Sequence, residues 1–590
     1  AGPPCQLGDV TRRTPPPHRR ERSGAGKGGR DVASFRWVGR RPLAMARTRR
    51  KDAKRAELQQ GEEQASGSYN RFLRILLVQL FVVGVGMTLQ HFYLPDTVPG
   101  ALGGGASGSE PPCGLNKGTR EDGKGRLAIF SERVVTPEGV FPATVRIEGR
   151  AITEVVRGRA PPAEGSGVAF VDYGSLVVSP GVVDLHVHVN EPGRTEWEGF
   201  RTATAAAAAG GVTSFFDMPL NSKPAATTAA ILRNKIEVAR DKLHVDVGFW
   251  GGLVPENAEG SRKELRALLG AGAAGLKAFM APSGIADFGH CNATCLEAGL
   301  RELSRRGGTK KPLMVHAELP FDPEFDTSAR DARKYETYMH TRPGEFETKA
   351  IRLLMSVSEK LARERVAHRV HIAHVAYAPI LKEIQRYKNR AAVMQRDTVA
   401  FTAETCPHYL VFEAESVPDG AVQYKCAPPI RGRANRQGLR EHLREGAIDS
   451  VGSDHSPAPP DVKFLEEGDF LRAWGGISGL QYTLPATWAA ARAVGATLED
   501  MAAWLSAAPA AIAGLGDRGA IEAGKKADLV VWDDGAPAET SQQACRHRHK
   551  LSPYNDMDLM GKVEATFVSG HLVFSEGQVS GDTCGKVILG

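Results

Sequence analysis

Cysteine is scarce: eight residues in 590, scattered, with no Cys-x-x-Cys pair among them. That spacing excludes a cysteine zinc knuckle. The count is too low for a scaffold built from disulfides, leaving room for one or two bridges. Charge of one sign is also lacking over most of the chain. The net charge of +7 is concentrated in the first seventy or so residues, which carry an excess of about eleven positive charges, so the remainder is mildly acidic. The basic block lacks interleaved aromatics and a helical pattern, so nucleic-acid binding is not expected. Long apolar runs are rare too, the longest being Ile75 to Leu89, broken by Gln79. The whole is 42% hydrophobic and 24% charged, which is ordinary globular composition.

The lengthwise pattern divides the chain. Residues 1–71 are basic, Pro- and Gly-rich at the start, and read as disordered. Met45 opens a conventional terminus, so 1–44 are expected to precede the natural start. Residues 72–94 read as a secretory signal or uncleaved signal-anchor, with basic residues before the apolar run. A lumenal catalytic region in the endoplasmic reticulum is the expectation. Membrane attachment would follow if the segment is uncleaved. In that setting Asn292-Ala293-Thr294 is a glycosylation sequon. Residues 95–125 are a Gly/Ser/Pro-rich linker.

From 126 the sequence turns globular. Eight short apolar runs alternate with helical stretches: Val182–His188, Thr213–Met218, Val245–Trp250, Gly275–Met280, Leu313–Ala317, Val370–Val375, Val399–Thr405 and Ser450–Ser453. This predicts an α/β fold, a (β/α)8 TIM barrel over 181–514. Strand-like runs at 126–180 and 515–580 bracket it and are expected to form one small β-sandwich domain from both ends of the globular region.

Chemistry gathers at the predicted strand ends, where barrel enzymes place it. His186 and His188 are two residues apart at the end of the first strand, so both project from one face and can grip a transition metal together. Lys277 lies in an apolar strand, a costly place for an unpaired cation. His316, His374 and Asp454 end strands five, six and eight. Any one of these histidines alone would pass for a hydrogen-bonded core residue. Six positions in the right strands together read as a site for two divalent ions.

This pattern resembles the amidohydrolase superfamily, in the cyclic-amidase branch with dihydroorotases, hydantoinases and allantoinases, over roughly 126–580. The resemblance implies a carboxylated lysine (N6-carboxylysine) at Lys277 bridging two metal ions, with Zn expected and Mn or Co acceptable. His186, His188 and Asp454 would hold one ion and His316 and His374 the other. Within the branch, the stretch Asp184–Phe200 and the segments around Phe279–Phe288, Glu404–Leu410, Lys425–Arg431 and Trp474–Gln481 look like plant-type allantoinase. Dihydroorotases typically carry Arg where Asn190 stands. The implied substrate is allantoin, with Asn190, Ser283, Ala427, Gly475 and Gly476 as expected contacts and Asp454 as the proton-transfer residue. Dihydropyrimidine, hydantoin or dihydroorotate hydrolysis is the alternative, and a non-catalytic scaffold a further one. Relatives are often tetramers or monomers.

Overall fold

A computed structural model describes residues 125–590, apart from 306–310, 321–324 and 394–398. The expected basic region, hydrophobic segment and linker fall outside the described residues. Among the described residues no helix is long and apolar enough to cross a membrane.

Five strands come first: β1 (Arg126–Thr136), β2 (Gly139–Glu148), β3 (Ala151–Arg157), β4 (Ala169–Asp172) and β5 (Val177–Pro180). Alternation in β2 buries Ala143, Val145 and Ile147 on one face, the period-two signature of a sheet with one wet side. The last strands are β15 (Leu529–Pro537), β16 (Met560–Val568), β17 (His571–Ser575) and β18 (Gln578–Val579). β15 pairs antiparallel with β5, so both ends of the globular region enter one nine-stranded sheet.

Between them lies the barrel: β6 (Val182–Val187), β7 (Val212–Asp217), β8 (Asp246–Phe249), β9 (Gly251–Gly252), β10 (Leu276–Phe279), β11 (Leu313–His316), β12 (His368–Ile372), β13 (Val399–Thr405) and β14 (Ser450–Val451). All pair in parallel, β6-β7-β8 in one sheet and β9 to β14 in another. The nine pieces are eight strands, because β8 and β9 are one strand broken at Trp250. There the backbone N–H donates to Asp217 (3.0 Å) and the indole N–H to Leu185 (2.9 Å). The circle closes where Val187 bridges His455 in parallel, with His188 N–H donating to the His455 carbonyl (2.8 Å). β6, β7, β8 and β11 are buried along their whole length on both faces, as parallel strands under helices must be. Hence the sequence shows them as continuous apolar runs rather than alternating ones.

Cys291 and Cys295 form a disulfide at the start of the helix Ala293–Ser304, and Asn292 caps that helix by accepting from Cys295 N–H (3.0 Å).

Candidate metal centre

The six predicted ligands converge at the carboxyl ends of the barrel strands. Nε2 of His186 lies 3.3 Å from Nζ of Lys277 and 3.2 Å from Oδ1 of Asp454. Nε2 of His188 lies 3.5 Å from the same Asp454 oxygen. Nδ1 of His316 faces Nε2 of His374 at 2.9 Å. His186, His374 and Asp454 each offer a donor atom within 4.8 Å of the other two. Every one of the six is buried, Asp454 least so at 8% exposed. His374 and Asp454 sit in left-handed backbone conformations (φ 38° and 43°), as does Asn190 (φ 69°). Such strain persists only where the surroundings over-determine it, and it clusters at functional sites.

Two carboxylates set the orientation of the rings. Oε1 of Glu404 meets Nδ1 of His186 at 2.8 Å, leaving Nε2 for the cage. Oε2 of Glu318 meets Nε2 of His316 at 2.8 Å and is itself gripped by Arg342, leaving Nδ1 of His316 for the cage. Metal-binding histidines commonly have such a partner, which fixes the tautomer and raises basicity. Gly452 is required beside Glu404, since a Cβ there would stand 2.5 Å from Oε2.

The electrostatics suit cations. Burial pushes the imidazoles of His186, His316 and His374 down, keeping them neutral, the state in which nitrogen ligates. Burial also pushes Lys277 down, against the opposing fields of Asp454 and Glu404. No carboxylate among the described residues lies within ion-pair distance of its Nζ. Glu404 is driven upward by burial while Lys277 opposes. Glu318 is held well below the usual carboxylate range by Arg342 and His316, which outweigh its desolvation. Four imidazoles, a carboxylate and a buried amine are a donor set for divalent ions such as zinc.

Sequence reasoning missed Glu318, Glu404 and His408. His408 is fully buried, neither ring nitrogen has a hydrogen-bond partner, and it lies in the electrostatic reach of Asp454 and His374.

The expected substrate contacts fall out differently. Asn190 is buried. Its Nδ2 donates to Pro457 O (3.2 Å) and its Oδ1 has no partner. The Ser283 hydroxyl is committed to its own loop, donating to Phe288 O at 2.7 Å. Ala427 precedes a cis proline in the loop after β13. Gly476 N–H donates to Lys425 O (2.7 Å), and its Cα faces Ser456 O so closely that a Cβ would stand 2.2 Å away. Gly475 is half-buried beside it.

A parallel barrel carrying a metal-capable cage at its carboxyl end defines the class, a barrel hydrolase. A family model described as the amidohydrolase family matches residues 177–573. An allantoinase of Arabidopsis thaliana is 46% identical over 468 residues, covering 78% of this chain and 90% of that protein. One of Streptomyces avermitilis is 44% identical over 458 residues, covering 77% and 96%. The solved L-hydantoinase (dihydropyrimidinase) from Arthrobacter aurescens superposes with a TM-score of 0.69 at 26% identity, covering 78% of this chain and 99% of that one. The chain belongs to the amidohydrolase family, on its allantoinase branch.

Proposed function

We propose that the chain hydrolyses the cyclic amide bond of allantoin to give allantoate, a step of purine (ureide) catabolism. The observation that carries the reading is the six-residue cage at the barrel mouth, with Asn190, two residues past His188, holding a buried, unpartnered amide oxygen. A neutral amide oxygen accepts from a ureido N–H, whereas the arginine of dihydroorotases answers a carboxylate. The names of the relatives from Arabidopsis and Streptomyces support the same substrate.

His186, His188 and Asp454 would hold one divalent ion, His316 and His374 the other, and Lys277 both, as its carbamate. Lys277 is suited to that modification. Its burial favours the free amine, which adds to CO2 and loses a proton to become an anion. Bound divalent cations supply Lewis acidity at an amide carbonyl and acidify water. Asp454 takes the proton of the attacking water and returns it to the ring nitrogen as the C–N bond breaks. Glu404 and Glu318 hold the imidazoles in register throughout.

The test is a metal-dependent assay of the purified full chain on allantoin, hydantoin, dihydropyrimidine and dihydroorotate side by side. Allantoin is expected to be turned over fastest. Preferred turnover of any of the others would overturn the substrate assignment.

A further inference from the structure

His374 stands apart among the four imidazoles of the cage. The outer nitrogen of His186 meets Glu404, that of His316 meets Glu318, and Nδ1 of His188 lies 3.2 Å from the Asn221 amide. Nδ1 of His374 is buried and has no hydrogen-bond partner. No hydrogen bond therefore fixes the direction of this ring. Yet its Nε2 faces Nδ1 of His316 at 2.9 Å, close enough for both to reach one ion. The direction has to come from the backbone, which is left-handed at His374, and so from whatever holds the chain beyond it.

That hold is a run of charged side chains. Oε2 of Glu347, in the helix Glu345–Arg363, accepts from the N–H groups of Ala376 (2.8 Å) and Tyr377 (3.1 Å), two and three residues past His374. Oε1 of Glu347 accepts from Nη2 of Arg431 (2.8 Å). The same guanidinium turns Nη1 to the carbonyl of Arg342 (3.2 Å), and Arg342 grips Glu318 through Nε (3.1 Å) and Nη2. Glu318 is the carboxylate behind His316. The run thus leaves the ring of His316 and arrives at the backbone behind His374, and its two arms meet on Arg431. Asn435 braces the turn past His374 as well, donating to Ala376 O (2.7 Å) and accepting from Ala378 N–H (2.9 Å), but these contacts are with that turn alone. Glu318, Glu347 and Arg431 are all buried. Burial pushes Glu347 up and Arg431 opposes it. Removing one member of such a set strands the charge of another. A guanidinium serves two acceptors from one flat fork, whereas a lysine ammonium is a point charge on a flexible stem.

We propose that Arg431 is a positioning residue for the ion of His316 and His374. By tying the carboxylate behind one ligand to the backbone behind the other, it sets the spacing of the pair. The inference rests on the two-ion reading of the cage. The ligands of the other ion are braced by Glu404 and Asn221 instead, so its affinity does not depend on Arg431.

The test uses the full chain loaded with zinc and dialysed against a series of chelator concentrations. Arg431→Lys keeps the charge and loses the fork. Wild type should hold two zinc ions per chain over a range in which the variant holds one, the second ion leaving at about tenfold lower chelator concentration. Allantoin turnover should fall at limiting zinc and recover at saturating zinc. Should Arg431→Lys fail to fold, Glu347→Gln takes its place with the same expected result. Equal zinc content across the series, or loss of both ions together in the variant, overturns the inference. A wild type that holds fewer than two ions sinks the two-ion reading instead. The metal-free chain with isotope-labelled histidine then decides by nuclear magnetic resonance. The ring signals of His316 and His374, assigned from single His→Gln variants, should shift in the variant while those of His186 and His188 stay. Unmoved His316 and His374 signals overturn the positioning role.

Discussion

Oε1 of Glu404 and Nδ1 of His186 stand 2.8 Å apart, both fully buried. That contact decides which imidazole nitrogen faces the cage, and it joins β13 to the end of β6 across the barrel. Glu404→Gln keeps the shape and presents either a donor or a neutral acceptor to the ring. Metal affinity and activity should each fall about 10- to 100-fold, read by competition with a chelator and by turnover at saturating metal. Unchanged affinity would reduce Glu404 to a packing residue.

Asp454 is placed to do two things, since one of its oxygens lies near both His186 and His188. Asp454→Asn retains an oxygen donor and loses the proton acceptor. Much of the metal should remain while turnover falls about 10²- to 10⁴-fold, the usual worth of general acid–base help. Metal analysis beside a kcat measurement separates the two roles. Near wild-type turnover would remove Asp454 from proton transfer.

Lys277 tests the carbamate. Lys277→Ala should lose metal and activity together, and a short carboxylic acid should restore part of both by supplying the missing carboxylate. Metal content is the decisive reading because it does not depend on catalysis. Full metal occupancy without added acid would refute the bridge.

The eight strands and the six cage residues were legible in the sequence for one reason: parallel barrel strands are short, apolar and end on their chemistry. The orienting carboxylates were half-legible. His316-x-Glu318 has the same spacing of two as His186-x-His188, so it puts both side chains on one face, but a carboxylate there reads equally well as a loop residue. Glu404 stands in a β-run whose inward face is known only once β12 and β14 flank it. For Ser283 the sequence shows a hydroxyl near the strand-four lysine, but not that its proton goes to Phe288 O within its own loop. The burial of Lys425 was out of reach altogether, because the amine donates to carbonyls up to 48 residues away, and main-chain groups leave no mark in a sequence.

His547 gives a pH prediction away from the cage. It is fully buried, its Nδ1 lies 3.3 Å from Sγ of Cys545, and it accepts from Gln481 N–H. Burial lowers it to about 4, against the attraction of Glu198. The folded chain therefore holds this ring neutral where an unfolded histidine, titrating near 6.5, is already protonated. The unfolded state binds the extra proton below about 6.5, so stability is present above that pH and is lost as pH falls toward 4. The loss attributable to this ring amounts to about 3 kcal/mol at most. His547→Gln, which cannot titrate, should flatten the fall of unfolding free energy between pH 6.5 and 4 relative to wild type, at some cost in stability at neutral pH. Denaturant unfolding of both chains across that range, at equal metal content, measures it. Parallel curves for the two would mean that His547 takes up its proton in the folded state as readily as in the unfolded one.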